Sequence, residues 1–214
     1  MSDRKKAQVE GEFLWLVSLS DMLILLFVFF VVMVSISYKK IRKSDFESFA
    51  ASLRHEQPPK SPLDEVESKV KQLVEARALG KEISVARVDD AVLVAIGEHV
   101  LFPSAEYRLN KNGRALLAQL SPILEAVPDS YRIGIEGHTD DVPVRSRGIE
   151  DNWALAAMRA HSVLRALELS PSALKRTILM SYGEMQPVAP NRAPSGEPVE
   201  ANRSKNRRVT LRIF

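Results

Sequence analysis

The chain has 214 residues, of which 45% are apolar, 27% are charged and none is cysteine. A disulfide framework and a thiolate metal site are therefore excluded, and a formal charge of +3 is too small to argue for a nucleic-acid partner. These averages combine two unlike regions, because Phe13 to Ser37 (FLWLVSLSDMLILLFVFFVVMVSIS) carries a single formal charge, Asp21, which excludes a wholly soluble protein.

Residues 13–37 predict a transmembrane helix, about 37 Å long at roughly 1.5 Å per residue, enough to cross a bilayer core of about 30 Å with some tilt. The stretch exceeds the roughly 7–15 apolar residues of a secretory signal and holds an acid, so it reads as an uncleaved anchor. Arg4, Lys5 and Lys6 precede it and Lys39, Lys40, Arg42 and Lys43 follow, leaving the positive-inside rule nearly balanced. Asp21 lies about 12 Å along the axis from Phe13, too deep for its short side chain to reach water. An acid at membrane depth costs about 2.5–3.5 kcal/mol on insertion scales, so a functional role is the default reading. The alternative is a hydrogen bond that glues one helix to another, and Ser18, one turn earlier, suits either use. A desolvated carboxylate can take up a proton, or exchange it for a cation when water enters, which makes Asp21 the candidate ion carrier. A chain with one span needs partner subunits to enclose such a pathway.

Beyond the span, Ser44 and Glu47 have capping-box spacing, and Phe46, Phe49, Ala50 and Leu53 recur at helical intervals. The resulting amphipathic helix over 44–53 reads equally as a stalk and as a segment that docks on the membrane partner and regulates it. Gln57-Pro58-Pro59-Lys60 breaks it, after which Ser61 and Pro62 open another helix with a stripe of Leu63, Val66, Val70, Leu73 and Val74 ending near Gly80. Such a stripe wants a partner, and a second copy of itself is one candidate. Residues 38–80 together read as a linker that could reach about 140 Å if fully extended.

From Glu82 onward the segment types alternate. Ser84–Val88 and Ala91–Ile96 read as strands around Asp89-Asp90, and Asn110 caps a helix carrying Leu116, Leu117, Leu120, Ile123 and Leu124. A strand over Arg132–Glu136, a helix from about Trp153 to Leu167 capped by Asp151 or Asn152, and strands over Ile178–Tyr182 and Arg208–Ile213 complete the set. The fold class is thus a single N-terminal transmembrane helix plus an α/β domain over 81–214, a mixed sheet with helices packed on it.

The densest polar cluster is Gly137-His138-Thr139-Asp140-Asp141, placed where a strand ends and a loop begins. No nucleophile motif accompanies His138, so a hydrolytic dyad is disfavoured and no catalytic residue is assigned. His55, His99, His138 and His161 lack ligand spacing, so neither a metal nor a cofactor is expected. Recognition remains: Asp140 at the strand end and Arg159 on the following helix could grip a ligand bearing both an ammonium and a carboxylate. Arg203, Lys205, Arg207, Arg208 and Arg212 read as a solvated basic face.

The run GHTDDVP from Gly137, then NWALAAMRA from Asn152, Tyr182-Gly183-Glu184 with Pro187, and Asn206-Arg207-Arg208-Val209 resemble the OmpA-like peptidoglycan-binding domain, in the form found in flagellar stator B subunits of the MotB/PomB type. The span, with Trp15, Asp21 and Phe29-Phe30, independently resembles theirs. The resemblance implies that Asp21 carries a proton or sodium ion, in a homodimer enclosed by a ring of MotA-type subunits, with residues 1–12 cytoplasmic, the span in the bacterial inner membrane and the large domain periplasmic. It further implies that Asp140 and Arg159 hold diaminopimelate of the peptidoglycan stem peptide, that Thr139 and Asn152 border that site, and that 44–53 is the plug. The function implied is a peptidoglycan-anchored stator subunit turning ion flow into torque, most directly for flagellar rotation. Similar chains serve non-flagellar motors in phage defence, gliding or envelope energisation, and a passive envelope tether is the alternative of a different class. Two departures stand out: Ala156 replaces the usual serine, removing a hydroxyl available for capping or a ligand, and Ile24 stands where proton-type relatives commonly carry threonine.

Overall fold

The computed structural model describes residues 2–38, 61–144 and 148–214, so the expected 44–53 helix lies outside the described residues. The chain divides into two compact units, Met1–Pro59 and Lys60–Phe214.

In the first unit, α1 spans Ser2–Tyr38. Its stretch Trp15–Val34 is long and apolar enough to cross a membrane. Every side chain along 15–34 is exposed, with no apolar face set apart from a polar one, as expected of a helix whose surroundings are lipid or partner helices. Asp21 sits six residues into this stretch.

The second unit opens with α2 (Pro62–Ala76). Ser61 caps it as predicted, its hydroxyl accepting from the Leu63 N–H while its own N–H donates to Asp64. The buried residues Leu63, Val66, Val70 and Val74 join one continuous core with Val92, Leu116 and Leu120. The stripe's partner is thus the chain's own sheet and helix, and a second copy is not needed to cover it. Arg77 fixes the end of α2 by donating to Gln119 at 2.7 Å. The expected linker over 38–80 accordingly overlaps the folded unit, which takes in everything from Lys60.

The remaining elements are β1 (Ile83–Val88), β2 (Ala91–Gly97), a short α3 (Glu98–Leu101), α4 (Lys111–Glu125), β3 (Ile133–His138), α5 (Asn152–Leu167), a short α6 (Pro171–Lys175), β4 (Thr177–Gly183), α7 (Glu200–Asn206) and β5 (Arg208–Ile213). Asn110 caps α4 through the Gly113 N–H at 2.7 Å, and Asp151 caps α5 through the Ala154 N–H at 2.7 Å. The three short helices carry too few turns to show an apolar period, and the sequence reading missed them.

The strands form one mixed sheet in the order β1-β2-β5-β3-β4, antiparallel except for the β3/β4 pair, whose crossover includes α5. The final strand therefore lies at the centre, between β2 and β3. One face carries Val92, Val94, Ile96, Val209, Leu211, Ile213, Ile133 and Ile135 into the core with α2, α4 and α5. Gly137 sets the approach of α5: a Cβ there would stand 2.1 Å from the Ala156 carbonyl oxygen. Gly137→Ala must push a strand and a helix apart at their closest point. It is expected to destabilise the domain by about 3 kcal/mol, the upper range for overpacking, read as a lowered urea midpoint of the detergent-solubilised chain. An unchanged midpoint would show that the contact yields freely. Ala156 is fully buried in this contact and Asp151 supplies the cap, so a hydroxyl at 156 is not needed there.

Candidate functional site

The sheet register assembles the polar cluster. Pairing of β2 with β5 puts Gly97 opposite Arg208, so Glu98 and Arg207 meet at the sheet end, where the Glu98 N–H donates to the Arg207 carbonyl at 2.9 Å. Pairing of β3 with β5 puts His138 opposite Arg208, which brings Thr139 and Asp140 to the other side of Arg207. On α5, Asn152, Ala156 and Arg159 fall on one buried face at helical spacing, aiming Asn152 and Arg159 at the same sheet end.

All four predicted residues, Thr139, Asp140, Asn152 and Arg159, line one cavity of about 550 Å³, together with Glu98, Phe102, Glu200 and Arg207. The loop after β3 is held tightly. The Thr139 N–H donates to the Gly183 carbonyl at 2.8 Å, and an Asp140 carboxylate oxygen accepts the Val142 N–H at 3.1 Å. Asn152 Nδ2 reaches both the Asp140 carbonyl at 3.3 Å and the Glu184 carboxylate at 2.7 Å, tying the loop to the turn after β4.

Asp140 and Arg159 are not paired with each other. Arg207 Nη1 lies 2.6 Å from Asp140 and its Nε lies 3.1 Å from Glu98, while Glu98 in turn accepts from Arg159 Nη2. Acid and base alternate along Asp140, Arg207, Glu98 and Arg159. Arg159 also donates from Nε to the Glu106 carbonyl at 3.0 Å, and its guanidinium lies 5.4 Å from the Phe102 ring centroid. Burial pulls the Arg159 guanidinium below its usual range, and the Glu98 carboxylate opposes that pull. Burial likewise acts against charge on Arg207, but hydrogen bonds to Asp140 and Glu200 outweigh it and raise its affinity for the proton. Arg159 Nη1 makes no hydrogen bond to a described residue.

The basic residues near the C-terminus are only in part a solvated face: Lys205 is exposed, whereas Arg203 and Arg207 are drawn inward. Arg207 belongs to the cavity, and Arg203 and Arg192 clasp Asp141 at 2.7 and 2.9 Å. The Arg203 hydrogen bond is the main reason that the Asp141 carboxyl lies below its ordinary range. Sequence reasoning missed Glu98 and the site role of Arg207, because only strand order brings them to Asp140. The one available signal was Arg207 within Asn206-Arg207-Arg208-Val209.

His138 is the last residue of β3, two residues past the expected strand end at Glu136, and it is buried. Its ring stacks on Tyr182 with centroids 5.2 Å apart, and its Nε2 lies 3.6 Å from Glu136, which excludes a dyad with Asp140 or Asp141 in this arrangement. Among the described residues no group of three potential metal ligands occurs. Burial holds the His138 imidazole below its usual range, with Arg208 acting in the same direction and Glu136 against it. The unfolded chain therefore takes up the proton more readily than the folded one, so stability is full above about pH 6.5 and falls as pH drops below that value. His138→Phe, which keeps the stack on Tyr182, is expected to flatten this slope between about pH 6.5 and 5 in urea titrations. An unaltered slope would assign it to other groups.

Residues 2–56 match the family described as membrane MotB of the proton-channel complex MotA/MotB, and residues 101–202 match the OmpA family. The Bacillus subtilis protein YtxE is 27% identical over 93% of this chain and 87% of its own length. Motility protein B of the same organism is 29% identical over 71% of this chain, and this chain spans only 56% of it. The periplasmic domain of Helicobacter pylori MotB superposes with a TM-score of 0.53 at 25% identity, covering 63% of this chain and 80% of that one.

Proposed function

We propose that this chain, a MotB-type protein with an OmpA-like domain, is the peptidoglycan-anchored stator subunit of an ion-driven rotary motor, with flagellar rotation as its output. One observation carries the reading: the same chain joins a span whose only formal charge is Asp21 to a cavity in which Asp140 and Arg159 present opposite charges without neutralising each other. The periplasmic domain grips the zwitterionic end of diaminopimelate. Its ammonium docks on Asp140, and its carboxylate meets Arg159 with Arg207 beside it. Thr139 and Asn152 hold the loop that presents Asp140.

Asp21 takes up a proton or sodium ion from the periplasmic side, moves relative to a ring of MotA-type subunits, and releases the ion inside. Each elementary charge crossing 100 mV supplies about 2.3 kcal/mol. That energy becomes torque only if one part is fixed, which is the task of the wall-binding domain. A second copy of the chain completes the span region. The domain faces the periplasm and residues 1–12 the cytoplasm.

Co-sedimentation of the detergent-solubilised full chain with purified sacculi tests the anchoring half. The unaltered chain is expected to pellet with the wall and Asp140→Ala to remain in the supernatant. Equal pelleting of both would overturn the assignment of this cavity.

A further inference from the structure

We infer that Trp153 is a stacking platform for a pyranose ring of the glycan strand, a sugar subsite adjoining the peptide cavity. The inference rests on the peptide-binding reading above and extends it to a second chemical class.

Trp153 is the only tryptophan of the folded unit; the chain's other, Trp15, lies in the apolar helix. It plays no part in the core and is 46% exposed. Its ring is nevertheless firmly seated. A Cβ built on Gly183 would lie 3.4 Å from each of the ring atoms Cγ, Cδ1 and Cδ2, so one face of the indole covers that glycine. Gly183 adopts φ +52, a left-handed conformation that suits glycine, so the backbone beneath the ring is fixed by that turn. The Ser181 hydroxyl donates to the Trp153 carbonyl at 2.8 Å and fixes the backbone as well. The residue is held at its ring and at its backbone, yet 46% of it stays open to solvent.

Its position is the second argument. β3 and β4 are parallel, and ligands of such strand pairs collect beyond their carboxyl ends. Here the end of β3 carries Asp140 and the end of β4 carries Gly183, and Asn152 bridges the two through Asp140 and Glu184. Trp153 directly follows Asn152, which lines the cavity. Three residues of stem peptide extend about 10 Å, so a peptide seated in the cavity brings its parent glycan across the surface beside it.

The chemistry fits a sugar. A pyranose offers a flat apolar C–H face and a rim of hydroxyl donors, and an exposed indole face with nearby carboxylates satisfies both. Glu150 and Asp151 lie exposed just before Trp153, and Glu184 follows Gly183. Val142, Met185 and Val188, all exposed, lie in the loops that follow β3 and β4 and add apolar rim.

Calorimetric titration of the full chain tests this, in a zwitterionic detergent without a sugar headgroup, with chitotetraose and, separately, with meso-diaminopimelate. The unaltered chain is expected to bind both. Trp153→Leu, which keeps an apolar cover over Gly183 but lacks a π face, is expected to bind chitotetraose about tenfold more weakly or worse and meso-diaminopimelate unchanged. In a Trp15→Phe background, chitotetraose should shift the Trp153 emission to the blue. Absence of chitotetraose binding, equal binding by Trp153→Leu, or loss of both ligands in that variant would overturn the platform. Chitotetraose binding through Trp153 without meso-diaminopimelate binding would leave the platform standing and sink the peptide reading of the cavity.

Discussion

Arg159→Ala is expected to cost the domain about 3–5 kcal/mol and to abolish wall binding, because it removes one partner of a buried ion pair and strands the other. Arg159 is only 2% exposed and Glu98 only 8%. Without the guanidinium, Glu98 keeps the contact with Arg207 at 3.1 Å and the Ala105 N–H at 3.4 Å, and Arg207 is already shared with Asp140 and Glu200. The Phe102 ring loses the cation packed against it, and the Glu106 carbonyl loses its donor. Urea denaturation followed by circular dichroism measures the first effect and sacculus co-sedimentation the second. Asp140→Asn separates the two, since it removes charge and keeps shape. That variant is expected to fold with little loss and still fail to bind the wall. A stable Arg159→Ala chain that pellets normally would contradict the role given to the alternating chain of charges.

Asp21→Asn is expected to abolish ion flux and torque while leaving sacculus binding intact. Asparagine is nearly isosteric and preserves a polar group able to hydrogen-bond between helices, but it cannot take up and release a proton. It therefore distinguishes an ion carrier from helix glue. Swimming of cells whose sole copy carries Asp21→Asn, with insertion checked by blotting, gives the readout. Paralysis with assembled flagella is the predicted result. Undiminished swimming would assign Asp21 to helix packing.

The legible parts of the fold were those governed by short-range periodicity. The Ser61 cap, the Asn110 cap and the stripe Leu63, Val66, Val70 and Val74 are local patterns, and each reappears in place. Asp140 and Arg159 were legible as site candidates because opposite charges stood at a strand end and on the following helix. That they share a cavity is a consequence of α5 crossing from β3 to β4. Glu98 and Arg207 were illegible for the opposite reason. They are far apart in sequence, and they meet only because β5 inserts between β2 and β3. The same long-range pairing turned a basic segment expected on the surface into the clasp on Asp141 and the bridge to Asp140. The strand holding His138 runs two residues past its expected end at Glu136, and the stack on Tyr182 is a contact across β3 and β4 that no local pattern announces.

The most direct measurement is calorimetric titration of the full chain with two soluble stem tripeptides, one ending in meso-diaminopimelate and one in lysine. Both supply the ammonium proposed to dock on Asp140, but only diaminopimelate adds a neighbouring carboxylate for the proposed contact with Arg159 and Arg207, which line the same cavity. The account predicts binding of the diaminopimelate peptide and a loss of about tenfold or more, or roughly 1.4 kcal/mol, for the lysine peptide. Equal affinity for the two, or no binding of either, would contradict the claim that this cavity anchors the chain to the wall.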